Sequence, residues 1–306
     1  MRGRPYLLLS SAALLWSGNF VLARAVRAHV PPLGLAFWRW TIALLVLLPF
    51  TSRSVRASAP ALLRSWRVVV GLGVLGVGNF NMLVYAGVHR TTATNAVLLN
   101  SACPAFIVAL SSALGAGRPT GRQLLGILVS LLGVLVIVSG GRPGALRDLS
   151  FNRGDLWVLA AVLSWAAYTV LLAWRPAGVD GTALLTATVA VGVAWILPFH
   201  AWELARGARM RLDLRTVGSV AYVALFASVV AYFCWNRGVA LVGASRAGVF
   251  MHLLPAFGSV LAAVLLGEAF RAHHLAGIAA ILAGVYLAGA APVRRAAVAG
   301  VTRTPA

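Results

Sequence analysis

The sequence predicts an all-α membrane protein with ten transmembrane helices arranged as two inverted five-helix repeats. Three observations lead to this fold class. The chain is strongly apolar, ten separate stretches are long enough to cross a bilayer, and the second half repeats the pattern of the first. A globular domain surrounded by water is excluded, because so few charges could not cover its surface.

Composition places the chain in lipid. Of its 306 residues 60% are hydrophobic and only 10% are charged, whereas soluble domains carry roughly 25% charged residues. The formal net charge of +20 would suggest nucleic acid in a soluble protein. All 26 basic residues are arginine, however, and almost all lie between the apolar stretches, where loop charges fix membrane orientation. We therefore expect the lipid bilayer, and not nucleic acid, as the large partner.

Ten apolar stretches approach the ~20 residues that a membrane-spanning helix requires. Connectors containing arginine, proline, glycine and aspartate separate them, and none is long enough to hold a soluble domain. The first stretch has the outline of a cleaved signal peptide, but a counterpart in the second half favours a helix of the fold. The predicted spans cover residues 6–23, 33–50, 68–88, 93–113, 123–139, 156–173, 182–199, 217–235, 247–266 and 275–291.

The two halves of the chain match each other when it is shifted by 151 residues, so that Pro104 meets Pro255. Near the start of each half the shift is 149, and Trp16 meets Trp165. Further matches are Gly87-Val88 with Gly238-Val239, Ala93 and Ala96 with Ala244 and Ala247, Gly126-Ile127 with Gly277-Ile278, and Gly133-Val134 with Gly284-Val285. We predict repeats at residues 1–141 and 152–292, followed by a cytoplasmic tail at 293–306.

Each repeat holds five spans, so the second repeat enters the membrane from the opposite side. Inverted repeats of this kind are typical of transporters whose halves exchange conformations. With the N-terminus inside, 14 loop arginines lie on the inner side and 11 on the outer side, and Arg39 alone lies within a span. The distribution predicts that both termini are cytoplasmic.

The first repeat contains Trp-Ser-Gly-Asn-Phe at residues 16–20, Phe37-Trp38-Arg39 and Pro104. These motifs resemble those of the drug/metabolite transporter superfamily, in its ten-helix EamA-type branch. Residues 16–20, Trp-Ser-Gly-Asn-Phe, resemble the Trp-Gly-x-Asn-Phe signature of that family, with serine and glycine exchanged. Phe37-Trp38-Arg39 resembles its membrane-embedded arginine motif, and Pro104 matches the proline of its fourth helix.

The second repeat continues the resemblance, which covers nearly the whole chain. Pro255 matches the fourth-helix proline, and Gly267-Glu268 matches a Gly-Glu pair of the family. The first repeat departs from this pattern, because Ala116-Gly117 stands where Gly-Glu is usual. That departure puts in doubt any role that needs the glutamate in both halves.

The resemblance implies a carrier, because the superfamily exports amino acids, other metabolites and drugs, or imports some sugars. It also implies a central cavity between spans one, three, four, six, eight and nine. The substrate-binding residues expected there are Trp16, Asn19, Asn81, Tyr85, Asn100, Trp165, Tyr168, Tyr232, Trp235 and His252. Aromatic walls with a few polar groups suit a mixed polar and apolar ligand or a cation. For each residue, packing and hydrogen bonding between helices is the alternative.

Arg39 has two open roles. It lies about seven residues, or roughly 10 Å, from the outer end of its span. It could contact an anionic group of a ligand, or it could bond helix-end carbonyls as a structural residue. All six carboxylates fall outside the predicted spans, so ion coupling through an intramembrane acid is not expected. His252 is then the group that could titrate at depth.

No catalytic residue, metal or cofactor is expected. Cys103 and Cys234 lie within spans and are interpreted as small core residues. A membrane-embedded enzyme would need clustered acids and histidines, and only Glu268 with His273 and His274 approaches this. The leading hypothesis is export of small metabolites, amino acids foremost, across a bacterial inner membrane. Export of cationic drugs, an enzyme and a non-transporting scaffold are the alternatives.

Glycines recur every seven residues in spans five and ten: Gly126, Gly133 and Gly140, and Gly277 and Gly284. Such a spacing puts them on one helix face and permits close approach of a second helix. They predict close packing, either within the chain or in a homodimer.

Overall fold

The computed structural model describes residues 4–26, 30–117, 119–146, 151–267 and 269–289. The regular structure in these ranges is helical throughout. The predicted tail at 293–306 and Glu268 lie outside the described residues.

In the residues that the structure describes, ten long helical segments follow one another, and each coincides with one predicted span. Within the described ranges, nine of them are long and apolar enough to cross a membrane. The first helix has 23 residues and, at 1.5 Å per residue, a length of about 34 Å, which matches a hydrocarbon core of ~30 Å. The helices are α1 (Arg4–Val26), α2 (Pro32–Arg64), α3 (Trp66–Val88), α4 (Asn95–Ala113), α5 (Gly121–Val138), α6 (Arg153–Trp174), α7 (Gly181–Ala205), α8 (Leu214–Val242), α9 (Ala244–Leu265) and α10 (Ala272–Gly289).

The outward faces of the helices are apolar. Leu7, Phe50, Leu63 and Leu265 are all more than half exposed. In water such a surface would be an aggregation or docking patch, whereas a bilayer solvates it. The chain is therefore a multi-pass membrane protein.

Helix contacts follow a two-fold pattern in which each helix of the first repeat corresponds to the helix five places later. The pairs α2–α7 and α5–α10 consist of corresponding helices in contact. The α3–α6 contact corresponds to the α1–α8 contact, and α1–α9 corresponds to α4–α6. A pseudo-two-fold axis requires this reciprocity, and the sequence repeat predicts it.

The glycine faces of α5 and α10 pack against each other. A Cβ added to Gly126 would lie 2.5 Å from the carbonyl oxygen of Gly284, and one added to Gly133 would lie 2.5 Å from that of Gly277. The backbones touch where side chains would normally separate them. These four glycines are used within the chain, so a homodimer would need other surfaces. The expectation that Gly140 shares this helix face is wrong, because Gly140 lies beyond the end of α5 with φ +63° and with nothing within 4 Å of an added Cβ.

Corresponding helices are interrupted at corresponding places. In α3 the residues Gly73–Asn79 and in α8 the residues Val223–Val230 form π-helical turns. In α4 the helix breaks after Asn100 and resumes at Cys103, and α9 tightens to a 3₁₀ turn at Phe250–His252. Interruptions of this kind free backbone carbonyls in the membrane interior, where other groups can bind them.

The expectation that every carboxylate lies outside the spans is wrong for Asp155 and Glu203. Both lie within helices, and both are buried, at 0% and 9% exposure. Backbone N–H groups stabilise each charge: Asp155 accepts from Asn152 at 2.8 Å, and Glu203 accepts from Gly34 at 2.7 Å. The helices extend beyond the hydropathy boundary because these bonds offset the cost of burying an acid.

Candidate functional site

Arg39 is buried at the centre of the bundle, with 2% of its surface exposed. Its Nε donates to Ser228 Oγ at 2.9 Å. Its Nη1 donates to Asn81 Oδ1 at 2.9 Å and to the Tyr85 hydroxyl at 2.7 Å. Its Nη2 donates to the carbonyl oxygen of Ala227 at 3.3 Å. One guanidinium therefore joins α2 to α3 and to the π turn of α8.

The two π turns present corresponding carbonyls to side chains of the opposite repeat. The carbonyl oxygen of Ala227 in α8 accepts from Trp16 Nε1 at 2.9 Å. The carbonyl oxygen of Gly76 in α3, which is 151 residues earlier, accepts from the Tyr232 hydroxyl at 2.7 Å. A backbone carbonyl of each repeat thus accepts a hydrogen bond from an aromatic side chain of the other repeat. Nothing in the sequence predicts this pair of hydrogen bonds.

An aromatic cluster, defined as Trp16, Trp40, Trp165, Tyr168, Tyr232 and Trp235, fills the centre beside Arg39. The ring centroids of Trp16 and Trp165, which are repeat equivalents, lie 5.0 Å apart with the rings perpendicular. Trp16 also contacts Tyr232 at 5.7 Å and Trp235 at 5.4 Å. Edge-to-face geometry of this kind stabilises aromatic pairs, so the cluster is a rigid wall.

A central cavity lies between this wall and Arg39. Seven of the ten predicted binding residues line it, and Arg39 lines it with them. Its lining consists of Trp16, Asn19, Arg39, Phe80, Asn81, Val84, Tyr85, Asn100, Trp165, Tyr232, Met251 and Leu254. The free volume is about 20 Å³, which holds about one water molecule. Helices must separate before a metabolite can enter.

Tyr168 and Trp235 lie behind the cavity wall and not on it. Their rings pack on Trp165 at 5.1 and 5.7 Å. The Tyr168 hydroxyl donates to Asn236 Oδ1 at 2.6 Å. Both residues support the residues that face the cavity.

His252 lies away from the cavity and is fully buried. Its Nε2 lies 2.9 Å from the carbonyl oxygen of Ser101, and its Nδ1 lies 2.6 Å from Ser130 Oγ. Since a carbonyl only accepts, Nε2 carries a proton and donates it to Ser101. The imidazole therefore joins α9 to α4 and α5.

Four lining residues were missed by sequence reasoning: Phe80, Val84, Met251 and Leu254. They are apolar, so a search for polar groups in lipid does not find them. Met251 is the repeat equivalent of Asn100, and Leu254 is that of Cys103. Extending the repeat to every predicted lining residue would have indicated Met251.

A two-repeat helical bundle with a closed, mixed aromatic and polar cavity at its centre is the architecture of a membrane carrier. The profile of the EamA-like transporter family matches residues 3–139 and 152–290. The chain belongs to that family.

Individual proteins resemble the chain over most of its length. It is 26% identical over 288 residues to "Uncharacterized transporter YyaM" of Bacillus subtilis, covering 92% of each chain. It is 30% identical over 282 residues to "Probable amino-acid metabolite efflux pump" of Salmonella typhimurium, covering 90% of this chain and 91% of that one. A solved crystal structure superposes with a TM-score of 0.76 at 21% identity, over 94% of this chain and 97% of that one. The last similarity establishes the fold alone.

Proposed function

We propose that the protein exports small metabolites, with amino acids as the main substrates, by alternating access of its two repeats. The observation that carries this is the central cavity, whose lining comes from both repeats and from seven helices. Its free volume of about 20 Å³ is too small for a metabolite, so the repeats must move before a ligand passes. The efflux activity in the name of the Salmonella relative agrees with this direction.

Export of cationic compounds is the second candidate, because aromatic faces attract cations. Arg39 opposes it. The guanidinium lines the cavity, and no carboxylate lines it among the residues that the structure describes. A cationic ligand would meet a like charge in a medium of low dielectric constant. Amino acids, which carry both charges, fit the cavity better.

The proposal places the protein in the cell membrane with both termini in the cytoplasm. The excess of loop arginines on the inner side supports this orientation. An enzymatic role is not proposed. Of the three residues that suggested one, His273 and His274 lie half-buried in the first turn of α10, and Glu268 lies outside the described part of the chain.

The test is efflux from cells that overproduce the protein and are loaded with labelled amino acids or a cationic dye. We expect faster release of amino acids and unchanged release of dye. A Trp16→Ala/Trp165→Ala double variant should lose the effect. A Trp66→Ala/Trp157→Ala variant, which changes two exposed tryptophans, should keep it. If no amino acid leaves faster, the proposed function is wrong.

A further inference from the structure

Arg39 is a buried cation that faces neutral partners. Its four hydrogen bonds go to a serine hydroxyl, an amide oxygen, a tyrosine hydroxyl and a backbone carbonyl. No carboxylate lies within salt-bridge distance of it in ranges 4–26, 30–117, 119–146, 151–267 and 269–289. A charge without a counter-ion in lipid is costly. An anionic group entering the cavity would therefore gain from Arg39.

Arg39 and Tyr85 together form a donor site. A guanidinium has five N–H groups, and the recorded bonds use four of them. The Tyr85 hydroxyl accepts from Arg39 Nη1, so its own proton points elsewhere and can be donated. Both side chains line the cavity. A carboxylate bound here would make charge-assisted bonds, which are roughly twice as strong as neutral ones.

Asn19 supplies a hydrogen-bond acceptor, whereas Arg39 and Tyr85 supply donors. Its side chain is 7% exposed and lines the cavity. Its Oδ1 is fully buried and has no hydrogen-bond partner in the part of the chain that the structure describes. A buried acceptor without a donor is unfavourable. An ammonium group would satisfy it, and the rings of Trp16 and Tyr232, which line the same cavity, would attract the same charge.

Apart from Asn81 and Asn100, the remaining lining is apolar or aromatic. Phe80, Val84 and Leu254 contribute hydrocarbon and an aromatic ring to the cavity. An apolar side chain is the ligand part that such a surface stabilises. A polar or charged side chain would lose its hydration there without a partner.

We infer that the substrate is a zwitterion with an apolar side chain, an inference that rests on the proposed transport function. Arg39 and Tyr85 bind its carboxylate, and Asn19 binds its ammonium group. Phe80, Val84 and Leu254 contact its side chain. A simple cation would be repelled by Arg39, and a simple anion would leave Asn19 Oδ1 unpaired.

The test compares three ligands with one carbon skeleton as competitors of labelled leucine exchange in proteoliposomes. They are L-leucine, L-leucinamide, which lacks the carboxylate, and 4-methylpentanoate, which lacks the ammonium group. The wild-type protein should prefer leucine over each analogue by about tenfold or more. The same comparison is made with L-phenylalanine, its amide and 3-phenylpropanoate.

Two variants should each lose one preference of the wild-type protein, one variant the preference over leucinamide and the other the preference over 4-methylpentanoate. Arg39→Gln should accept leucine and leucinamide equally and still discriminate against 4-methylpentanoate. Asn19→Ala should do the reverse. Arg64→Gln removes an exposed charge from the same helix and should keep both preferences.

A structural role for Arg39 gives a different result, because it would lower the exchange of all three ligands by one factor and leave their ratios unchanged. That result would overturn the inference. If Arg39→Gln does not fold, Arg39→Lys replaces it. This variant keeps the charge without the planar donor fork, so its preference over leucinamide should fall between the wild-type ratio and one. A ratio equal to the wild-type value would likewise overturn the inference.

Failure of the two proposals can be told apart. If the wild-type protein exchanges no amino acid, the transport function itself is wrong and the inference falls with it. If it exchanges leucine or phenylalanine but accepts both analogues equally well, transport stands and only the zwitterion site is wrong.

Discussion

His252 and Ser101 occupy equivalent positions in the two repeats, 151 residues apart, and they are hydrogen-bonded to each other. The imidazole Nε2 donates to the Ser101 carbonyl oxygen at the point where α4 is broken, and His252 itself lies in the 3₁₀ turn of α9. Equivalent residues can touch only on the pseudo-two-fold axis. The bond therefore joins the two helix breaks on the pseudo-two-fold axis.

Replacing His252 should destabilise the protein without changing the pH dependence of transport. His252→Ala leaves the Ser101 carbonyl and the Ser130 hydroxyl without this partner, which should lower the free energy of unfolding by about 1–3 kcal/mol. His252→Gln can still donate and accept, so it should fold and exchange amino acids with the wild-type pH profile. Thermal unfolding in detergent and exchange rates across neutral pH measure the two effects. A pH dependence abolished in His252→Gln would instead make the imidazole a titrating group.

The contact between α5 and α10 should not accept a methyl group. A Cβ at Gly284 would lie 2.4 Å from the carbonyl oxygen of Gly126, which is backbone and cannot rotate away. Gly284→Ala should therefore lower stability by about 1–3 kcal/mol. Gly258→Ala is the matched control, since nothing lies within 4 Å of its added Cβ. The melting temperatures of the two variants decide the matter, and equal values would contradict the described packing.

Glu203 should stabilise the start of α2. Its Oε1 and Oε2 accept the backbone N–H groups of Leu33 at 3.1 Å and Gly34 at 2.7 Å. Glu203→Ala removes both acceptors and should cost about 1.5–3 kcal/mol. Glu203→Gln keeps one neutral acceptor and should cost less. Thermal unfolding ranks the three proteins, and a glutamine variant less stable than the alanine variant would refute the capping role.

Asp180 should stabilise α7 in a pH-dependent way. The Thr182 hydroxyl and the backbone N–H groups of Thr182 and Ala183 hydrogen-bond the carboxylate and hold its pKa below the ordinary value. A lowered pKa in the folded state means that the stabilisation is present above the unfolded-state pKa of ~3.9 and is lost as pH falls through the folded-state pKa. Asp180→Ala should thus lower the melting temperature at neutral pH, and the difference should shrink toward pH 3. A difference that stays constant on acidification would exclude this assignment.

Hydropathy and the internal repeat predicted the number and order of the helices, because a bilayer demands ~20 apolar residues per span whatever the helix packs against. The aromatic and amide residues of the cavity were also predictable, since polar groups in lipid are rare enough to stand out. Trp16, Asn81 and Tyr232 are examples that line the cavity.

Backbone hydrogen-bond register was not predictable in this way. The π turn at Gly73–Asn79 contains three glycines and the one at Val223–Val230 contains none, so no shared composition marks them in the sequence. Whether such a segment forms a π turn depends on the hydrogen bonds that its backbone makes with side chains of neighbouring helices. The Ala227 carbonyl oxygen, which accepts from Trp16 Nε1, is an example. The burial of Glu203 was not predictable for a related reason. Its hydrogen-bond partner lies at the start of α2, which is distant in sequence.

The π turn of α3 also makes the length of that helix a structural requirement. One residue rotates an α-helix by about 100° and advances it by 1.5 Å. Deleting a single residue between Gly73 and Asn79 would restore regular helix, but it would turn Asn81 and Tyr85 away from Arg39. A substitution in this segment changes the packing at its own position, whereas a one-residue deletion changes the register of everything beyond it. Natural sequence variants of this protein should therefore carry substitutions in α3 and α8 but no insertions or deletions there.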